Sequence, residues 1–314
     1  MTVDIADAPV VEHLEDATPL LQDPQALRGR AERDGYLFFR GLLPRDLVLE
    51  LRRQFVGILE EFGWLRSGTD PMDGVVDHEA VAKVDPEALA FCGVGIPREA
   101  YVAVQKLELF HAVAHLPQLI SLYEALFGEE VLVHPRHIAR LMLPAPSFSP
   151  TPPHQDFTHV QGAKSFWTLW FPVGDVPLKL GGLSVLSESN HDGIYRYTAN
   201  SGAGGLESMI CETEHAWHTA PMWAGDALTF HSHTVHKSNP NRVPDLVRIS
   251  CDLRYQPASM AVEERSLKVH CDVASWDEVY EGWTNDRLKY YWRRNDLVFS
   301  EWDPSLVQTH RNIC

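Results

Sequence analysis

The chain has 314 residues, 45% hydrophobic and 22% charged, the balance of a globular protein with room for one sizeable domain. Against 43 Asp and Glu it carries only 27 Lys and Arg, and the formal net charge of −16 disfavours nucleic acid and anionic membranes as partners. No apolar run reaches the roughly 18 residues that cross a bilayer, and the acidic stretch from Met1 to Asp16 lacks the basic start and apolar centre of a signal peptide. The five cysteines, Cys92, Cys211, Cys251, Cys271 and Cys314, are scattered and odd in number. That usage points to reduced thiols in a cytoplasmic protein.

Residues 1–18 read as a flexible arm. A short helix is expected from Gln25 to Asp34, then an apolar strand over Gly35-Tyr-Leu-Phe-Phe-Arg40 closed by Gly41. Leu47, Leu51, Phe55, Ile58, Leu59 and Phe62 recur at helical spacing, so 45–63 is a helix. Gly, Asp and Pro clusters make 64–100 a surface excursion near the mouth of a site. Residues 107–127 return to a helical pattern that stops at Gly128. From there the chain turns to short apolar segments between turn signals: 130–134, 137–143, 166–172, 182–186, 226–231 and 247–255. Many short strands with irregular connections predict a mainly β fold with flanking helices, of the closed or two-sheet kind. The domain is expected over 19–270, with 271–314 as a helical extension packed on its outside. There is no internal repeat.

His154-Gln155-Asp156 is the most informative stretch. A His-x-acid pattern occurs three times in this chain, as His13-Leu14-Glu15, His154-Gln155-Asp156 and His270-Cys271-Asp272. Only the middle one has strands on both sides, a later histidine and a later arginine. Residues i and i+2 of an extended segment point the same way, so His154 and Asp156 can reach one metal. His236 is the expected third ligand. It shares parity with Leu228 and Phe230, whereas His231 and His233 fall on the other face. Two imidazoles and a carboxylate on one face of an octahedral ion are the ligand set of non-haem Fe(II), with positions left for a chelating α-keto acid and O₂. Arg248 and Ser250 share one face of the 247–255 strand, and a guanidinium with a hydroxyl can grip a carboxylate. The Asn239-Pro240-Asn241 turn and Pro244 are expected to fold that strand back on His236 as a hairpin.

These residues carry a family resemblance covering about 25–255. Gly35-Tyr-Leu-Phe-Phe-Arg-Gly41, Pro153-His-Gln-Asp156, Gly181-Gly-Leu-Ser-Val-Leu-Ser-Glu-Ser-Asn-His191, Gly225-Asp-Ala-Leu-Thr-Phe-His231 and His236-Lys-Ser-Asn-Pro-Asn241 together resemble the phytanoyl-CoA dioxygenase family. The resemblance implies a double-stranded β-helix, the jelly roll of cupin-like proteins. It also implies iron on His154, Asp156 and His236, and 2-oxoglutarate on Arg248 with Ser238 or Ser250 assisting. Three residues stay open for the keto-acid end: His137, Arg140 and Thr168. Phe157, Thr168, Trp170 and the 64–105 region are the candidate pocket walls. Leu186-Ser-Glu-Ser stands where the family has Ile-Pro-Gly-Ser, which implies a different substrate. Because Asp156 is kept, hydroxylation or another oxidation is expected rather than halogenation.

Two other readings use the same residues. A zinc hydrolase or cupin-type isomerase would recruit His231 and His233 around a tetrahedral ion and would have no use for Arg248. A non-catalytic binding jelly roll would keep the fold without turnover. The acidic balance disfavours a large polyanion such as a CoA ester unless Lys83, Arg98, Lys106 and Arg136 form a local basic patch, and the expected substrate is a small metabolite, a biosynthetic intermediate. Monomer and homodimer fit equally well.

Overall fold

A computed structural model describes residues 11–144, 149–211 and 213–311. The chain begins with strand β1 (Val11–His13), helix α1 (Pro24–Asp34), strand β2 (Tyr36–Phe39) and helix α2 (Arg45–Glu61). Single-turn helices α3 (His78–Val81) and α4 (Pro86–Leu89) lead to α5 (Arg98–Gln105), α6 (Glu108–Ala112) and α7 (Pro117–Phe127). Strands β3 (Val131–Val133) and β4 (Ile138–Met142) precede the short helix α8 (Asp156–Val160). Then come β5 (Trp167–Pro172), β6 (Gly182–Leu186), β7 (Tyr197–Ala199), β8 (Leu206–Ser208), β9 (Trp217–Thr219), β10 (Ala227–His231) and β11 (His236–Asn239). The ten-residue β12 (Arg248–Pro257), then β13 (Val262–Glu263), helix α9 (Trp276–Val279) and β14 (Phe299–Ser300) complete it.

Two sheets face each other. The larger runs β2-β10-β5-β12-β3, with β4 also on β12, and the smaller runs β1-β9-β6-β11. Alternation gives the larger sheet two different faces. Tyr36, Phe38, Trp170, Leu228 and Phe230 point inward and meet Leu183 and Val185 of the smaller sheet. Leu37, Phe39, Leu169, Phe171, Ile249, Cys251, Leu253 and Tyr255 point outward into a second core shared with the helices. This is the expected double-stranded β-helix with helical cover.

Helix α1 starts where Asp23 accepts from the backbone N–H groups of Gln25 and Ala26, an N-cap. It ends at Gly35, whose φ is +70°. A Cβ there would collide with Asn190 and Thr234, so the Gly35-Tyr36 junction demands glycine on two counts. Helix α2 buries Val48, Leu51, Phe55, Ile58 and Leu59, the stripe its spacing predicts. Glu188 occupies the position where the family motif has glycine and takes φ +66° without one.

Several expectations need correction. The part of the supposed arm that is described, residues 11–18, is not loose. Here β1 pairs in parallel with β9, Asp16 bridges Phe38, and Ala17 is wholly buried; residues 1–10 lie outside the described residues. The 64–105 excursion is tied down by the Leu65–Val76 and Val75–Leu246 bridges and by Arg52, which donates to the carbonyls of Met72 and Val173. The 271–314 extension packs through Val279, Trp283, Leu288 and Trp292, but its helix is one turn long and the rest is 3-10 turns and β14. The 107–127 helix is broken after Ala112 and restarts at Pro117. No hairpin joins β11 to β12, because the two belong to opposite sheets. Finally, Cys92 and Cys271, 179 residues apart, form a disulfide with Cα atoms 6.6 Å apart, so the expectation of reduced thiols fails for this pair. No helix among the described residues is long and apolar enough to cross a membrane.

Three buried histidines, His111 and His115 in the helical layer and His134 beside Gln256 of β12, are pushed down to about 3, 4 and 4 by burial. They stay neutral in the folded chain while the unfolded chain takes up protons below the ordinary imidazole value of about 6.5. Stability therefore falls as pH drops from about 6.5 towards 4, at up to about 4 kcal/mol per pH unit for three groups. Urea unfolding at pH 7.5 and pH 5.0 is expected to show a much lower midpoint at pH 5.0; equal midpoints would contradict it.

Candidate metal centre

The centre forms where the segment before α8 meets the start of β11. His154 and His236 form an antiparallel bridge in which each backbone N–H donates to the other's carbonyl, both at 3.0 Å. This reciprocal pair sets the imidazoles side by side, with ring centroids 4.1 Å apart. Gln155 is extended, so Asp156 returns to the same side as His154. The three residues are the single group of potential ligands of this kind among the described residues, with one donor atom from each lying within 4.8 Å of the others. Asp156 Oδ1 is 3.8 Å from His154 Nε2 and 3.9 Å from His236 Nε2.

The other ring nitrogens are already committed. His154 Nδ1 donates to the Pro152 carbonyl at 2.8 Å, and His236 Nδ1 donates to that of Thr234 at 3.1 Å. This fixes the tautomer in which each Nε2 offers a lone pair to a metal. Asp156 Oδ2 is likewise occupied, accepting from Thr168 Oγ1 at 2.5 Å and Arg254 Nη2 at 3.3 Å. Oδ1 alone is left facing the imidazoles. Gln155 anchors the segment from behind, donating to the carbonyls of Gly193 and His233 and accepting from the Tyr195 N–H and the Tyr197 hydroxyl.

The electrostatics suit a cation. Burial would raise the Asp156 carboxyl, but Arg254 first, then the two imidazoles and Thr168, hold it well below the ordinary carboxylate range. Burial drives His154 down to about 3 and lowers His236 also, so both are neutral bases at working pH.

Arg248 and Ser250 sit on the inward face of β12, as alternation predicts. Both are buried, and Arg248 Nη1 and Ser250 Oγ have no hydrogen-bond partner among the described residues. Burial and then Arg140 push Arg248 down to about 10, as expected of a desolvated cation without an anion. Ser238, two residues beyond His236, lines a cavity of about 330 Å³ together with Arg248 and Met142. A second cavity of about 280 Å³ is lined by His154, Asp156, Arg136, Arg140 and Arg254, among others.

The remaining candidates divide. Thr168 faces the centre but is bonded to Asp156. Arg140 reaches the metal-side cavity, paired with Asp252 at 3.0 Å. His137 has the opposite parity and packs among His111 and Phe110 under the helices. Phe157 stacks on His233 in a small cluster with Val160 and Phe166, and Trp170 lies in the apolar filling between the sheets. His231 ends β10 and stacks on His233, while His236 begins β11 on the other sheet. The parity argument across 228–236 therefore passes through a turn it did not foresee, which carries the chain from one sheet to the other. His215 and His218 are held apart by Asp192 and by Tyr36 with Glu12. Of the proposed basic patch, Lys106 pairs with Glu281 and Arg98 donates to the Val273 carbonyl, and only Arg136 reaches a cavity near the centre. Arg254 was missed, although the alternation of Arg248, Ser250 and Asp252 continues to it.

Known proteins agree with this construction. The family model for phytanoyl-CoA dioxygenase (PhyH) matches residues 31–250. The 1-deoxypentalenic acid 11-beta-hydroxylases of Streptomyces arenae and Streptomyces exfoliatus are each 29% identical, over 262 and 259 residues, which is 78% of this chain and 85% of theirs. Among solved structures, the non-heme monooxygenase ThoJ in its apo form has a TM-score of 0.51 at 16% identity, covering 75% of this chain and 79% of its own. The epimerase SnoN, in complex with Fe3+, alpha ketoglutarate and nogalamycin RO, has a TM-score of 0.50 at 20% identity, covering 77% of this chain and 86% of its own. The structures share the fold, and the family match spans both histidines, the aspartate and Arg248. The chain belongs to the phytanoyl-CoA dioxygenase family of iron- and 2-oxoglutarate-dependent oxygenases.

Proposed function

We propose that this chain oxidises an unactivated C–H bond of a small metabolite, by hydroxylation in the simplest case, with 2-oxoglutarate as co-substrate and succinate and CO₂ as products. His154, Asp156 and His236 hold Fe(II). Arg248, with Ser250 and Ser238, holds the far carboxylate of the keto acid. The observation that carries the reading is the pair of unpartnered groups, Arg248 Nη1 and Ser250 Oγ, buried two residues apart on one strand face. A buried guanidinium without an acceptor costs stability unless a ligand supplies one. A carboxylate satisfies both groups at once.

Iron and the keto acid, when bound, supply the oxidising power from O₂. The chain supplies everything else. The Pro152 and Thr234 carbonyls hold the imidazoles neutral and aimed. Thr168 and Arg254 tie up Asp156 Oδ2, so the carboxylate would offer a metal Oδ1 alone. The inner apolar layer of Trp170, Leu228 and Phe230 keeps water away from one side. Because Asp156 occupies the ligand position, the favoured outcome is oxygenation rather than halogenation. This reading also favours a cytoplasmic setting, where Fe(II) and the keto acid are both at hand, and a protein working as monomer or homodimer.

Anaerobic addition of Fe(II) and 2-oxoglutarate is expected to give the weak visible charge-transfer band of the chelate. Asp156→Ala should abolish it. Arg248→Ala should raise the 2-oxoglutarate concentration needed by at least about 10-fold, the scale of a lost charge-assisted pair. A wild-type protein that gives no band would sink the reading.

Arg254→Met and Thr168→Val each remove one of the two donors to Asp156 Oδ2 without replacing a proposed metal ligand. Iron affinity, titrated with the fold checked by circular dichroism, should weaken by about 10–100-fold, as for other groups that orient a ligand. Unchanged affinity in both variants would remove them from the centre.

A further inference from the structure

The metal-side cavity holds an excess of positive charge that the proposed chemistry does not use. Its lining contains three guanidinium groups, Arg136, Arg140 and Arg254, and one carboxylate, Asp156. Arg140 is balanced by Asp252 at 3.0 Å and also donates to the Gly93 carbonyl at 2.8 Å. Arg254 is shared with Asp156 at 3.3 Å, yet its Nε is buried without a partner among the described residues. Arg136 has no ion-pair partner among the described residues and reaches only the Arg265 carbonyl, at 3.3 Å. Its nearest acidic neighbour in the sense of charge, Asp272, lines a different cavity.

Charge counting sharpens this. Fe(II), Asp156 and a dianionic keto acid together leave one negative charge, which Arg248 answers. Asp252 answers Arg140. One positive charge at Arg254 and one at Arg136 then remain over the cavity. A protein with a net charge of −16 has no shortage of acids, so their absence here is local. Burial lowers Arg136, with Arg254 adding to it, as befits a cation short of both water and a counter-ion. Ile138, Val160, Ala203, Gly204 and the Cys92–Cys271 disulfide give the wall an apolar part, and Thr151 with the uncharged imidazoles of His154, His159 and His270 completes it without adding an acid.

We infer that the substrate is a small carboxylic acid with an apolar skeleton, its carboxylate held by Arg136 and the free edge of Arg254, its skeleton on Ile138, Val160 and the disulfide. This deepens the oxygenase reading and rests on it. A guanidinium fork fixes a carboxylate in direction as well as position. Anchored at Arg136, the acid would present the carbon at the far end of its skeleton to the metal side of the cavity. The 29% identical relatives are named for action on an acid, 1-deoxypentalenic acid, which agrees in class.

The test uses the whole protein loaded anaerobically with Fe(II) and 2-oxoglutarate. Cyclohexanecarboxylic acid and 1-adamantanecarboxylic acid are titrated against their carboxamides, following the perturbation of the charge-transfer band. Succinate release in air is followed in parallel. At least one acid should act at a concentration 10-fold or more below that of its amide. Arg136→Met should erase this preference, while Arg136→Lys should retain part of it. If the band forms but acid and amide act alike, or neither acts, or Arg136→Met keeps the preference, the acid proposal is overturned and the iron reading stands. If the wild-type band never forms, both fall together.

Discussion

Asp156 is the constraint around which the rest is arranged. A carboxylate only 4% exposed does not stay ionised unless its surroundings pay for the lost water. Here Thr168, from β5, and Arg254, from β12, converge on one oxygen, and two neutral imidazoles face the other. Each of these partners comes from a different stretch of chain. Thr168 and Arg254 are register partners on adjacent strands, so the larger sheet must form before Oδ2 is satisfied, and the smaller sheet then brings His236 to face Oδ1. The centre and the barrel are thus coupled: the barrel supplies donors to Asp156, and Asp156 links the 154–160 segment to the larger sheet.

Much of this was legible in the chain. The strands 182–186 and 227–231 and the helix over 45–61 follow from periodicity, because burial on one face imposes period 2 or 3.6. The grouping of His154, Asp156 and His236 was legible because metal chemistry restricts residue type and spacing at once. Arg248 and Ser250 followed from alternation along β12. Other features were hidden for physical reasons. β1, β7, β8 and β9 are three residues each, too short for a period to show. The Cys92–Cys271 pair spans 179 residues, and spacing alone says nothing about such a contact. Which sheet receives His236 depends on a turn between β10 and β11 that carries the chain from the larger sheet to the smaller, where strand alternation gives no guide. Trp170 and Phe157 illustrate the common ambiguity of aromatics: the types that line pockets also fill cores, and here both fill.

The cavity beyond the centre shows how local charge departs from the global balance. The surface is acidic, yet the wall around the metal gathers arginines from two paired strands. Arg136 precedes β4 and Arg140 lies within it, while Arg254 comes from β12, which pairs with β4 through Ile138–Met142. Cross-strand neighbours of like charge are unfavourable side by side. Asp252, placed between Ser250 and Arg254 on the same face, relieves that repulsion at Arg140.

Strand β12 has a consequence for how this scaffold can change over time. Arg248, Ser250, Asp252 and Arg254 face inward, while Ile249, Cys251, Leu253 and Tyr255 fill the core beneath the helices. Inserting or deleting one residue within it would exchange the two sets, burying charges in the apolar layer and emptying the centre. The strand is therefore closed to length variation. Divergence among descendants of such a chain has to enter by substitution on β4 or by remodelling of the segments that carry Cys92 and Cys271, where the wall changes and the frame does not.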